Sequence, residues 1–366
     1  MIVIIGAGYA GAATARALAR AGAGRQVTIL EGEPAPGRHA SGRNAGLIAS
    51  ILELDPDMLA MAVRGARLLR ESFGYTMCGS VLLVASEAEG DRVAAIASRH
   101  GVPTRSMRAA DLERRIPWIA GSACRYAVLF PEDGKLDPAA LVARMLEEAR
   151  GGGVTVVTGA HATALRLRGG RIAGVETTAG FFEASLVVNA AGAWAGGVAA
   201  LPGGGGLSDL GIAAFRRHLF HAPISGPFDA SCPWVWDLDH SVYFRVDPGG
   251  LTLSACDETP HPPGLPEIDP GSADDLAGKL QVALPAAARL APQALRACLR
   301  TFVPDRKFVI GPDPRVDGFF WVAGLGGAGM TASAAVGDLA AAMLLGRDVD
   351  AGARAAFDPA RLIPAA

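Results

Sequence analysis

The sequence predicts an α/β protein: a doubly wound, parallel-sheet domain, discontinuous along the chain, with an inserted α+β domain built on an antiparallel sheet. Three observations predict it. The first 31 residues read as strand, glycine turn, helix, strand and acid. The texture then shifts twice to short strands of antiparallel style, and after each shift the parallel-sheet texture returns. These changes divide the 366 residues into 1–75, 139–206 and 304–366 for the first domain, and 76–138 and 207–303 for the second.

Ile2-Val3-Ile4-Ile5 is too short for a helix and suits a buried parallel strand. Gly6-Ala7-Gly8-Tyr9-Ala10-Gly11 follows, then a helical pattern over 12–21 and a second strand over 27–30 that ends in Glu31. In such a Rossmann-type unit Gly6 permits the tight turn, Gly8 lets backbone approach a pyrophosphate, and Gly11 lets helix and strand pack closely. The phosphates would rest on the helix N-terminus, where N–H groups and the dipole favour negative charge. Glu31 would accept from the ribose hydroxyls. This unit identifies a dinucleotide and leaves NAD and FAD both open.

Residues 32–37 are a loop by their Pro and Gly content. His39-Ala40-Ser41-Gly42-Arg43-Asn44-Ala45-Gly46 is polar and sits beyond the second strand, on the edge where doubly wound sheets bind ligands. Ser41, Arg43 and Asn44 are residue types that hold phosphates and polar ring edges. A helix is expected over 57–72, then strands over 79–85 and 127–130 around a helix over 88–100. Asp137-Pro138 reads as N-cap and first turn of a helix running to 150. A strand over 154–157, a meander over 164–184 and a strand over 186–188 feed Asn189-Ala190-Ala191-Gly192-Ala193-Trp194. Strands of antiparallel style follow over 215–221, 241–246, 251–256 and 297–303, the middle two joined by the turn Asp247-Pro248-Gly249-Gly250.

The chain closes with a strand over 319–323, the turn Gly324-Leu325-Gly326-Gly327-Ala328-Gly329 and a helix from Met330 to 345. No strand ending in an acid comes after this second GxGxxG. It reads as a helix start whose free N–H groups face a ligand bound elsewhere in the fold.

Half the residues are hydrophobic and 19% are charged, with 34 Lys plus Arg against 36 Asp plus Glu, so nothing indicates a nucleic-acid partner. Five scattered cysteines without CxxC spacing argue against a disulfide framework or a metal site and fit a reducing, cytoplasmic setting. The apolar start lacks the basic region of a signal peptide, and no run is long enough to span a membrane, which leaves peripheral membrane contact open.

Together these residues resemble the FAD-dependent D-amino-acid oxidase family, which includes glycine oxidase, sarcosine oxidase and the D-amino-acid dehydrogenases. The resemblance rests on the opening glycine turn with Glu31, the segment 39–44, the run 188–194 and the closing glycine turn, in that order. Phe215-Arg216-Arg217, Val242-Tyr243-Phe244, Leu299-Arg300-Thr301-Phe302-Val303 and Phe320-Trp321-Val322-Ala323 look most like D-arginine dehydrogenases. The resemblance implies FAD, held noncovalently, and hydride transfer from the substrate α-carbon to flavin N5. The imino acid so formed hydrolyses to a 2-oxo acid and ammonia. It also implies cofactor contacts from Gly6, Gly8, Ala10, Gly11, Glu31, residues 39–41 and 43–46, Ala162, Ala191, Gly192, Trp194, Arg300, Gly326, Gly327, Gly329, Met330 and Thr331.

Arg300 lies mid-strand among apolar neighbours, a costly place for an unpaired charge, and its fork matches a carboxylate. The resemblance makes it the substrate-carboxylate clamp, with Arg217 the second clamp, Tyr243 a substrate-facing hydroxyl and Thr331 a polar substrate contact. Strand alternation lets only one of Arg216 and Arg217 face inward. Cys298 stands where sarcosine oxidase is linked covalently to its flavin. The segment after Asn44 is apolar, so Leu47, Ile48 and Leu52 are expected to line a pocket that leaves a guanidinium tail unpaired. The expected substrate is therefore a neutral or apolar D-amino acid and D-arginine a poor one. A glycine- or sarcosine-type secondary amine and a 2-hydroxy acid are the alternatives. The electron acceptor stays open between oxygen, a quinone and another carrier.

Overall fold

A computed structural model describes residues 1–51, 55–224 and 229–364. Its first sheet has six strands in the order Val309–Pro312, Phe319–Ala323, Leu186–Asn189, Ile2–Ile5, Val27–Glu31 and Thr155–Thr158. All neighbours are parallel except the edge pair Val309–Pro312 and Phe319–Ala323. Alternation along the first strand explains its unbroken apolar run. Ile2 and Ile4 pack under the helices Tyr9–Arg20, Pro138–Gly151 and Ser333–Leu344. Val3 and Ile5 pack on the opposite face, against Leu165, Ile172 and Val175 of a three-stranded meander. Gly337 lets two helices cross at backbone contact, since a Cβ there would sit 2.5 Å from Ala13 backbone.

The second sheet has nine strands. The strand Ala213–Pro223 pairs antiparallel with both Gln293–Phe302 and Gly250–Ser254. The antiparallel expectation fails at one seam: Trp234–Asp237 runs parallel to Ser80–Val84, in register Trp234 to Ser80. That seam joins strands from 76–138 and 207–303 into a single sheet, which no local pattern could reveal. Val235, Phe244, Val246 and Leu253 point to a core under the helix Ser272–Ala283. The alternate residues Arg217, Leu219, Trp234, Trp236 and Tyr243 point to the other face, over the first sheet's ligand edge.

Two expected boundaries move. The helix expected from Met330 begins at Ser333, because turns occupy the intervening residues, and a further helix, Ala351–Phe357, follows it. The Pro-rich run 260–266 reads from sequence as a loop, yet Pro260 joins a two-residue strand, Thr259–Pro260, at the sheet edge. Among the described residues no helix is long and apolar enough to cross a membrane.

Candidate functional site

A cavity of about 730 Å³ runs from the C-terminal ends of the first sheet's strands to the inner face of the second sheet. Every residue expected at the cofactor lines it except Gly11 and Thr331. Gly11 works one layer back: a Cβ there would lie 1.9 Å from Gly6 O, so it sets helix against strand.

The narrow end is built to receive a dinucleotide. The helix Tyr9–Arg20 starts at Gly8, which has no side chain to cap it, and carries no acid in its first turn; Ser41 takes the Tyr9 N–H, and the dipole still favours an anion at this end. Gly6 holds φ +103°, and a Cβ on it would meet Ala190 O at 2.5 Å. A Cβ on Gly8 would meet Ser41 Oγ at 2.9 Å. Glu31 is pinned by N–H donors from Ala7 and Glu33, both at 2.9 Å. His39 shares a hydrogen bond with Glu33 at 2.8 Å and packs against Trp194, with ring centroids 4.6 Å apart. Its Nδ1 is buried without a partner. A helix start without an acid in its first turn, backbone open to the cavity and this orphaned nitrogen fit FAD, held by the strand ends and segment 39–46.

The polar residues of that segment act differently from expectation. Arg43 donates to Ala297 O at 3.3–3.4 Å, and Arg296 donates back to Arg43 O at 3.0 Å. This exchange ties the segment to the strand Gln293–Phe302. Asn44 accepts from Gly46 N at 2.9 Å and donates to Ala40 O and Ser41 O at 3.1 Å, closing its own turn. Ser41 Oγ accepts from Tyr9 N at 3.0 Å. At the closing turn, Gly326 donates its N–H to Thr301 O at 2.9 Å, so that group is not free for a ligand as expected.

The broad end is roofed by the second sheet. Arg217 stands opposite Cys298, and Arg300 opposite Phe215, across one antiparallel pair. Arg217, Arg300, Cys298, Tyr243, Trp234 and Trp236 all line the cavity. Arg216 points away and is bound by Asp269, which answers which of the two arginines faces inward. Arg300 Nη1 and the Tyr243 hydroxyl are both buried and meet no hydrogen-bond partner. Burial pushes the Tyr243 phenol pKa up, so it stays a neutral donor. Burial, then the like charge of Arg300, push the Arg217 pKa down. Two guanidiniums face one space, and an anion entering it relieves both costs.

Two expected site residues do not reach this space. Ile48 is fully buried in the core under the helices, because strand alternation turns it away while Leu47 lines the cavity. Thr331 is 2% exposed and bridges Leu47 O (3.4 Å) and Ala49 N (3.3 Å), so it braces the wall. Leu52 lies outside the described residues. Sequence reasoning missed Trp234, Trp236, Cys256, Glu258 and Arg306, all cavity-lining. For Trp234 and Trp236 the only sequence signal is their period-two spacing on a strand of unknown partnering; Cys256, Glu258 and Arg306 lie between strands, where no periodicity marks them. Glu258 accepts from Arg217 at 2.7 Å and from Arg306 at 3.0 Å. Outside the cavity, Cys124, Asp237 and His240 gather potential ligand atoms within 4.8 Å of one another. Hydrogen bonds among the three account for that arrangement.

A sequence model described as DAO, FAD dependent oxidoreductase, matches residues 1–343. An uncharacterized oxidoreductase of Bacillus subtilis, YurR, is 26% identical over 95% of this chain and 95% of its own length. Mouse mitochondrial pyruvate dehydrogenase phosphatase regulatory subunit is 26% identical over 92% of this chain, and mouse mitochondrial sarcosine dehydrogenase 25% over 90%. The chain spans only 40% and 38% of those two proteins' lengths. Among solved structures, L-proline dehydrogenase from P. horikoshii superposes with TM-score 0.85 at 22% identity, covering 98% of this chain and 96% of that one. Iminodiacetate oxidase from Chelativorans sp. BNC1 gives TM-score 0.80 at 25% identity, covering 98% and 99%.

Proposed function

The chain belongs to the DAO family of FAD-dependent oxidoreductases, and from that premise we propose that it oxidises the CH–NH bond of an α-amino acid, a D-amino acid or an N-substituted glycine, held by its carboxylate. The observation that carries this reading is the pair of partnerless buried groups, Arg300 Nη1 and Tyr243 OH, at one end of the cavity. A buried guanidinium left unpaired costs far more than one bound to a carboxylate, and its planar fork suits that anion bidentately.

FAD supplies the hydride acceptor when bound. Residues of this chain do the rest. Arg300 and Tyr243 orient the substrate through its carboxylate, and Arg217 adds positive potential beside them. Leu47, Ala49, Trp234 and Trp236 wall the space from water. The imine product leaves and hydrolyses to a 2-oxo acid and an amine or ammonia. No side chain in the cavity is assigned as a base, since a minor fraction of neutral amine suffices at mildly alkaline pH.

The test is anaerobic bleaching of the purified yellow protein by a panel of D- and L-amino acids, sarcosine, glycine, proline and 2-hydroxy acids. Bleaching by an amine-bearing carboxylate is expected. Bleaching by 2-hydroxy acids alone would overturn the reading, as would a preparation that cannot be reconstituted with FAD.

A further inference from the structure

Six buried side-chain polar atoms meet no hydrogen-bond partner among the described residues, and five of them belong to residues lining the cavity. His39 Nδ1 lies at the cofactor end, and Arg300 Nη1 and Tyr243 OH are assigned to the substrate carboxylate. Trp234 Nε1 and Trp236 Nε1 remain. The two indoles are two positions apart on one strand, so they share its cavity-lining face. They pack with Leu47 and Ala49. An indole N–H donates only, and a buried donor left unmet is destabilising.

We infer that Trp234 and Trp236 form a subsite for an oxygen acceptor at the far end of the substrate, and that this acceptor is a second carboxylate. The inference rests on the carboxylate reading of Arg300 above and revises the neutral or apolar tail expected from sequence. A hydrocarbon tail leaves both indoles unmet, and an ammonium or guanidinium tail brings donors to donors. The cavity-lining charges at this end are Arg217, Arg300 and Arg306 against Glu258; the nearby Asp133 carboxylate lies behind the wall, held by Ser50 and Ser80, so three cations against two acids favour a further anion.

Isosteric pairs test it on the holoenzyme: aspartate against leucine in both configurations, and N-carboxymethylglycine against N-isobutylglycine, with asparagine as a neutral acceptor. A kcat/KM for the acidic member at least about tenfold above its hydrocarbon partner is expected, falling about tenfold in ratio in Trp234→Phe and in Trp236→Phe, the size of a hydrogen bond to a charged group. Asparagine matching aspartate would overturn the charged acceptor. A hydrocarbon member oxidised as well as the acidic one sinks this inference and leaves the proposed function standing. A ratio unmoved in both variants also sinks it. If no pair reduces the flavin this inference falls, and the proposed function falls with it only if sarcosine, glycine and proline also leave the flavin oxidised. Should a variant not fold, the indole N–H resonances of the wild-type holoenzyme decide. Succinate should displace two of the five tryptophan signals, and 4-methylpentanoate should not; equal displacement by both would overturn the subsite.

Discussion

Arg217 donates to Glu258 at 2.7 Å, and Arg306 donates to both oxygens of that same carboxylate at 3.0 Å. The one cavity-lining acid at the broad end is thus held by two guanidiniums, which already neutralise it against a cationic substrate tail, and it lowers the positive potential around Arg217. Glu258→Gln removes that opposing charge. The KM for a carboxylate substrate should fall by about threefold to tenfold, a modest change because the pair is partly solvated. The gain should shrink in high salt. An unchanged or higher KM in steady-state assays would remove Glu258 from the site's electrostatics. D-Arginine should remain a poor substrate of the wild-type protein.

Arg300→Met keeps the stem and removes the fork. Losing a charge-assisted hydrogen bond costs about 1.5–3 kcal/mol, so kcat/KM should fall by about tenfold to a hundredfold, mainly through KM. The visible spectrum should persist. Unaltered KM with the yellow colour intact would show that the carboxylate binds elsewhere.

Asp133 is 2% exposed and accepts from Ser50 N at 2.9 Å, Ser50 Oγ at 2.6 Å and Ser80 Oγ at 2.7 Å. Burial nonetheless pushes its pKa up to about 6 from 3.8. The folded state then binds more protons than the unfolded one between those values, so this group makes stability fall as pH rises from about 4 to 6 and level off above. Asp133→Asn should flatten that segment of the Tm-against-pH curve and raise Tm near pH 7.5 by a few degrees. A variant with the wild-type slope over pH 4–6 would contradict this account.

Cys298 lines the cavity as a free thiol, and covalent linkage to FAD is not expected. Acid precipitation should leave a yellow supernatant and a colourless pellet; flavin absorbance retained in the washed pellet, and lost in Cys298→Ser, would show the reverse.

Most of the cofactor end was legible in the sequence. The opening glycine turn, Glu31 and the segment 39–46 are local in the chain, and their geometry follows from strand, turn and helix in succession. What local pattern could not supply was which partner each side chain already has. Arg43 and Asn44 carry phosphate-binding chemistry, yet both brace backbone, because Ala297 O and Gly46 N reach them first. Ile48 and Thr331 fail for the same kind of reason: a two-residue strand, Leu47–Ile48, has no readable phase until its partner Gly134–Lys135 is known.

The sequence by itself determined the doubly wound unit, the dinucleotide it holds and the presence of an arginine among apolar strand neighbours, since each depends on neighbours within a few residues. Only the tertiary structure decided that Arg217 and not Arg216 faces inward, that Glu258 is already paired, and that Trp234 and Trp236 share a wall with Arg300. Those relations depend on strand pairing between segments as far apart as Ser80 and Trp234, where register chooses which face every side chain takes.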